Sequence, residues 1–210
     1  MKPRHQLTDD KRRNPKQARA HETIEAIIEA TAQILERGGR DALNTNRIAE
    51  RAGVSIGSLY QYFADKDAIL LALARRELGK GQAAVLAVLA QAPSLDPEQR
   101  ARLVVRTLAA AFGPRRKLRR HLLEALYAQG HHDELNRPVT VIAQAMALQA
   151  ERRAPGADRG AGPVRIFVLT RAVAGVIRAA ALEDSPFLGT ALLEDELVAL
   201  ITRYTAPMFS

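Results

Sequence analysis

Residues 47 to 63 read RIAERAGVSIGSLYQYF, two short runs of helical spacing parted by a single glycine. An isolated helix below about 12–15 residues is marginal in water, so neither run can persist without a core supplied from elsewhere. The connection is tight. Gly53 can take the left-handed backbone that ends the first run, and Ser55 can cap the second. Residues 53–57, GVSIG, also fit the G-x-S-x-G pattern of a hydrolase nucleophile. The chain on either side separates the two readings.

Upstream, Ile24, Ile27, Ile28, Thr31, Ile34 and Leu35 recur at helical spacing, and Gly38 with Gly39 supplies a stop. Asn44 caps a second helix running to about Ala52, with Ile48 and Ala49 turned inward. Asp65 caps a fourth that continues through Ile69, Leu70 and Leu73 into GQAAVLAVLAQA before Pro93. Breaks at PSLDP, Gly113-Pro114, the stretch from Gly130 to Pro138, APGADRGAGP and SPFLG divide the remainder into five further helices. Residues 139–142 favour a strand locally, yet AQAMALQAERR after them reads as helix. With no repeat and no convincing strand, the expected fold class is all-α.

A nucleophile elbow needs a buried strand before its serine, because the turn must lift the hydroxyl above a sheet. Here RIAERA, a polar-faced helix, precedes it, and His121, His131 and His132 show no partner pattern for a triad. A serine hydrolase is therefore the remote alternative, and no catalytic residue is assigned. A helix-turn-helix unit accounts for more of the stretch: its second helix enters the major groove by its N-terminal end. Val54, Leu59 and Phe63 can hold the pair together. Gly57 in the first turn of the second helix lets a base edge approach the backbone. Ser55, Ser58, Tyr60, Gln61 and Tyr62 offer hydroxyl and amide donors. Lys66 sits at the positive end of the fourth helix, where a cation is disfavoured unless an anion arrives.

RIAERAGVSIGSLYQYFADKDAIL, with the amphipathic helix and Gly-Gly pair before it, resembles the DNA-binding signature of TetR-family transcriptional regulators over roughly residues 20 to 70. The resemblance implies an all-helical homodimer, with a three-helix DNA-binding domain and a larger C-terminal domain that binds a small molecule and dimerises. It places Ser55, Ile56, Gly57 and Ser58 at the backbone or bases, and Tyr60, Gln61, Tyr62 and Lys66 at phosphates. Asn44 and Thr45 complete the expected DNA-contacting set. Ile56 stands where lysine is frequent and so offers an apolar contact. Ala64 replaces a frequent proline, and Asn44 takes the place of a usual Thr or Ser cap. The expected division is a basic flexible arm at 1–19, the helix-turn-helix domain at 20–66, and a helical effector-binding and dimerisation domain at 67–210.

Residues 1–20 hold seven basic side chains against two acidic ones, fitting an arm laid on phosphates or a solubilising tail. The formal charge of +8 is weaker evidence, because little of the excess lies in the first 66 residues. No cysteine is present, and the basic, polar start lacks the apolar core of a secretory signal, so a cytoplasmic location is expected. Residues 164–182 are apolar but carry Arg165, Arg171 and Arg178, which marks a buried helix and not a membrane span.

The partners expected are double-stranded operator DNA, a small-molecule effector and a second copy of the chain; no cofactor is assigned. Phe112, Leu126, Tyr127, Met146 and Phe167 are candidates for the effector pocket. Ala172, Gly175 and Ala179 form a small-residue stripe, and Leu193, Leu197, Leu200, Ile201 and Tyr204 an apolar face, both candidates for the dimer interface. The run Arg115, Arg116, Lys117, Arg119, Arg120 could neutralise an acidic effector or coat the surface as a solvated face, and His131-His132-Asp133-Glu134 lacks ligand spacing for a metal. The expected function is a repressor released from its operator by a ligand. The alternative is a constitutive or architectural DNA-binding protein without effector.

Overall fold

The computed structural model describes residues 15–91, 95–111, 115–153 and 161–205, and among them the chain is helical with no strand. Helices α1 (Pro15–Gly38), α2 (Thr45–Ala52) and α3 (Ile56–Tyr62) form the N-terminal unit, with a 3₁₀ turn at Arg40–Ala42. The long α4 (Lys66–Gln91) leads into α5 (Pro97–Ala110), α6 (Arg116–Ala128), α7 (His132–Arg153), α8 (Ala161–Leu182) and α9 (Ala191–Thr205). No helix among the described residues is long and apolar enough to cross a membrane.

The N-terminal boundaries follow from local chemistry. Asn44 Oδ1 accepts from the Arg47 amide at 2.9 Å and starts α2. Gly53, at φ 69°, ends it: the Gly53 amide donates to Glu50 O at 3.1 Å and that of Val54 to Ala49 O at 3.0 Å, closing a Schellman turn. Ser55 Oγ accepts from the Ser58 amide at 3.0 Å and starts α3. Asp65 Oδ1 accepts from the Ala68 amide at 2.7 Å at the head of α4.

Two departures from the sequence reading stand out. Helix α1 begins at Pro15, so residues 15–19, assigned to a flexible arm, are helical; residues 1–14 lie outside the described residues. Proline at the first position of a helix removes only an amide that would go unpaired anyway. Pro138, expected within a break, lies inside α7, which starts directly after Gly130 (φ 73°) and His131. Its ring forfeits one intrahelical bond, but the helix continues because Leu135 and Val139 on either side are buried.

Two apolar cores result. The first gathers Ile27, Ile28 and Leu35 of α1, Ile48 of α2, Leu59 of α3, Ile69, Leu70 and Leu73 of α4, and Leu118, Leu122 and Leu126 of α6. Thr31 is fully buried in it and satisfies its hydroxyl on Ile27 O at 2.8 Å. Val54 and Phe63 flank Leu59 as expected. The second core joins Ala101 and Val105 of α5 to Leu169, Val173 and Ile177 of α8 and Leu197 and Val198 of α9.

In the basic run at the start of α6, Lys117 is exposed, but the four arginines pair with acidic side chains. Arg115 reaches Glu29 of α1 at 2.7 Å, Arg119 reaches Glu77 of α4 at 3.2 Å, and Arg116 and Arg120 reach Asp184 at 3.0 and 3.5 Å. Helix α6 has no side-chain cap of its own. Glu36 of α1 substitutes, accepting from the Leu118 amide at 2.7 Å.

Leu59 is the only buried residue of α3 and is fully enclosed. Leu59→Ala should therefore cost ~2–5 kcal/mol in chemical denaturation, the range for emptying a buried leucine site. A loss under about 1 kcal/mol would mean that α3 is held by something other than this contact.

Candidate nucleic-acid interface and internal cavity

Ser55, Ile56, Gly57, Tyr60, Gln61, Tyr62 and Lys66 are all exposed, as is Asn44, while Thr45 and Ser58 are partly so. Ile56 and Tyr60, and likewise Gly57 and Gln61, are four apart and share faces of α3. The Tyr60 and Thr45 hydroxyls share a hydrogen bond at 3.1 Å, tying α3 to the first turn of α2 and fixing where the half-exposed phenol lies. The Ser55 and Ser58 hydroxyls pair at 2.8 Å. With that hydroxyl spent on capping, and no strand before it, Ser55 is a cap and not a nucleophile.

Gly57 is informative because nothing in the chain requires it. A Cβ built there would meet only Ser55 Oγ, at 3.9 Å, and φ is ordinary. Glycine inside a helix costs about 1 kcal/mol relative to alanine, and no close contact within the described chain accounts for it. Lys66 makes no ion pair among the described residues, and it stands on the first turn of α4, where an anion is favoured. The start of α4 is also held from the other side: Gln129, after α6, donates to Asp67 Oδ1 at 2.7 Å.

Above this unit, α4, α5, α6, α7, α8 and the end of α9 line a predominantly apolar, partly open cavity of about 220 Å³. Of the expected pocket residues only Met146 lines it. Leu126 is buried in the first core, Tyr127 is exposed and packs on His132, and Phe167 is exposed beneath the Arg171 guanidinium. Phe112 lies outside the described residues. Residues not anticipated for the cavity are Val85, Val104, Ile142 and Val173, together with Glu77, Arg100, Arg119 and Arg178. Large aromatics are the conspicuous candidates in the sequence, but the cavity walls here are aliphatic.

Glu77 links the cavity to the N-terminal unit. Its side chain is buried and receives Lys80 at 2.9 Å, Arg119 at 3.2 Å and Arg76 at 3.3 Å. Burial pushes its carboxyl up, but Lys80's hydrogen bond and the three cations together prevail and hold it below the usual value. Arg76 also reaches Glu25 and Glu29 of α1, at 3.3 and 2.9 Å. Burial lowers the Arg119 pKa against the pull of Glu77. Among the described residues no group of His, Asp and Glu is arranged to hold a metal ion.

The expected dimer residues divide. Leu197 is buried within the chain, and Leu193, Ile201 and Tyr204 pack on the second core, so that face of α9 is already occupied. Ala179 and Leu200 are exposed, and Ala172 and Gly175 half-buried. Next to them, Val164, Phe167, Val168 and Val176 of α8 and Leu192 of α9 are exposed in the single chain. Helix α8 is thus apolar on two faces, one of them uncovered.

A glycine-turned helix pair with exposed donors, joined by α4 to a larger hollow helical unit, defines a helix-turn-helix regulator. Residues 27–73 match the family described as bacterial regulatory proteins of the tetR family, and residues 96–204 match the tetracyclin repressor-like C-terminal domain. The chain belongs to the TetR family; it is a transcriptional regulator and not an enzyme. Over 51 residues it is 41% identical to the HTH-type transcriptional repressor KstR of Mycolicibacterium smegmatis, covering 24% of this chain and 25% of that protein. Over 54 residues it is 33% identical to the fatty acid metabolism regulator protein of Bacillus subtilis, covering 26% and 28%. The match thus spans about a quarter of each relative. A TetR-family crystal structure from Mesorhizobium loti shares the fold, with a TM-score of 0.67 at 20% identity over 90% of this chain and 98% of that one.

Two outcomes are expected. Gly57→Ala should leave thermal stability unchanged or slightly raised while weakening DNA binding at least tenfold in a filter-binding titration; undiminished binding would remove the argument from the missing side chain. Separately, Arg115's hydrogen bond, opposed by partial burial and aided by Arg76 and Gln33, holds the Glu29 carboxyl at about 2, down from 4.5. A depressed folded value means stabilisation that is present above pH 4.5 and lost as pH falls toward 2. In Glu29→Gln the melting temperature should therefore fall less steeply across that window than in the wild type, and parallel profiles would show that the contact contributes nothing.

Proposed function

We propose that the protein is a repressor that binds a two-fold operator as a homodimer and leaves it when a small, largely apolar molecule fills the cavity. The observation that carries this reading is the course of α4. The helix starts with Lys66 beside the recognition helix α3, gives Ile69, Leu70 and Leu73 to the core of the N-terminal unit, and then lines the cavity with Leu78, Val85 and Leu89. A molecule that changes the shape of the cavity has to act on the same rod that positions α3.

DNA contacts are assigned to Ser55, Ile56, Gly57 and Ser58 at the N-terminal end of α3, with Tyr60, Gln61, Tyr62 and Lys66 on phosphates. Asn44 and Thr45 set the head of α2 against the backbone. Phosphate contacts position such a unit, and the base-facing turn of α3 supplies the sequence preference. Pairing is assigned to the uncovered face of α8 and α9, Phe167, Val168, Val176, Leu192 and Leu200, which are exposed to solvent in one chain. Exposed apolar side chains on neighbouring helices are a mark of an interaction site. A two-fold dimer then sets the recognition helices about one helical turn, ~34–36 Å, or a multiple of it apart.

Release requires different affinities of the ligand for the two arrangements of α4, and a coupling of ~1–3 kcal/mol weakens operator binding about 5- to 150-fold. The Glu77 network supports this route, because Arg119 on the cavity wall and Arg76 on α1's acidic residues share one carboxylate.

Sedimentation at micromolar concentration should give a dimer for the wild type and a monomer for a Phe167→Asp, Leu200→Asp double variant. Footprints on the DNA upstream of the coding sequence should show two symmetric protected blocks that the variant loses. A monomeric wild type, or a single asymmetric block, would overturn the two-fold reading.

A further inference from the structure

The walls of the cavity are aliphatic, and a few charged groups are set into them. Glu77, Arg100, Arg119 and Arg178 all line it, Glu77 as the one carboxylate among them. That carboxylate is already held by Lys80, Arg119 and Arg76. A ligand cation would therefore meet an anion that three cations surround, and would meet further positive charge beside it. Arg178 of α8 is partly buried, and its partners are neutral: Nε donates to Ala174 O and Nη1 to Asn136 Oδ1, both at 3.3 Å. Among the described residues it makes no ion pair. A guanidinium at the wall of an apolar cavity gains most from a planar anion that can accept two of its hydrogens at once.

We infer that the cavity binds an apolar monocarboxylate whose carboxylate pairs with Arg178 and whose chain lies among Val85, Val104, Ile142, Met146 and Val173. The inference rests on the cavity being the effector site and adds the chemical class of the effector. The cavity, about 220 Å³, is lined by the helices that carry these side chains.

The test uses three eight-carbon probes that differ only in the head group: octanoate, octanol and octylamine, the last protonated at pH 7. Each is titrated calorimetrically into the full-length wild type and into Arg178→Met and Arg178→Lys, with thermal melts confirming that both variants are folded. Octanoate should bind the wild type at least tenfold more tightly than octanol, with octylamine weakest. Arg178→Met should lower octanoate to the octanol value and leave octanol unchanged, and Arg178→Lys should restore part of the difference. Octanol or octylamine binding as tightly as octanoate would overturn the carboxylate assignment while leaving the cavity as a binding site. An octanoate preference that survives Arg178→Met would overturn the role of Arg178. Failure of all three probes to bind at millimolar concentration would overturn both the assignment and the cavity reading beneath it.

Discussion

Helix α4 has to satisfy two apolar environments at once, and the arrangement of the remaining helices follows from how it does so. Its first turns place Ile69, Leu70, Leu73 and Ala74 in the core that α1, α2 and α3 cannot close alone. Its later turns turn Val85 and Leu89 toward the cavity. A helix of 26 residues spans about 39 Å at 1.5 Å per residue, long enough to reach from one environment to the other without a break. Because each end is packed, a displacement imposed at one cannot be absorbed locally. Interiors at crystal-like density pass strain on in place of yielding to it.

The ionic contacts reinforce the same geometry. Arg75 of α4 bonds Glu134 of α7 at 3.0 Å, Arg76 bonds Glu29 of α1, and Glu77 receives Arg119 of α6, so three successive residues fasten α4 to three different helices. Glu77 and Arg119 are the buried pair of this set, and removing either strands the other, which is costlier than never having buried them. The charge run of α6, Arg115 to Arg120, therefore determines how the larger unit sits on the smaller one.

What could be read in the sequence were features settled within a few residues. Asn44, Gly53, Ser55 and Asp65 act as expected because a cap or a left-handed turn is decided by its own neighbours. Leu59 with Val54 and Phe63 was legible for the same reason, lying at helical spacing beside a known turn. The effector cavity was not. Helical periodicity tells which face of α6, α8 or α9 is apolar, but not which other helix covers it, so Leu126 went to the first core, and Leu193, Leu197, Ile201 and Tyr204 to the second. Phe167, conspicuous by size, faces outward. Which arginines of α6 and α8 line the cavity was not legible either, since that depends on which neighbouring helix is set against them.

Helix α3 has seven residues, about 10 Å of length at 1.5 Å per residue. Base pairs follow one another every 3.4 Å, so one such helix lies along about three of them. Three base pairs distinguish roughly 64 sequences, far fewer than the positions available in any bacterial chromosome. One copy of this chain would accordingly find an acceptable triplet almost everywhere. In the proposed dimer a second triplet at a fixed separation multiplies that number by about 64, which would make the spacing between two α3 helices, and hence the angle at which each α4 is held, part of the address along with the side chains that touch the bases.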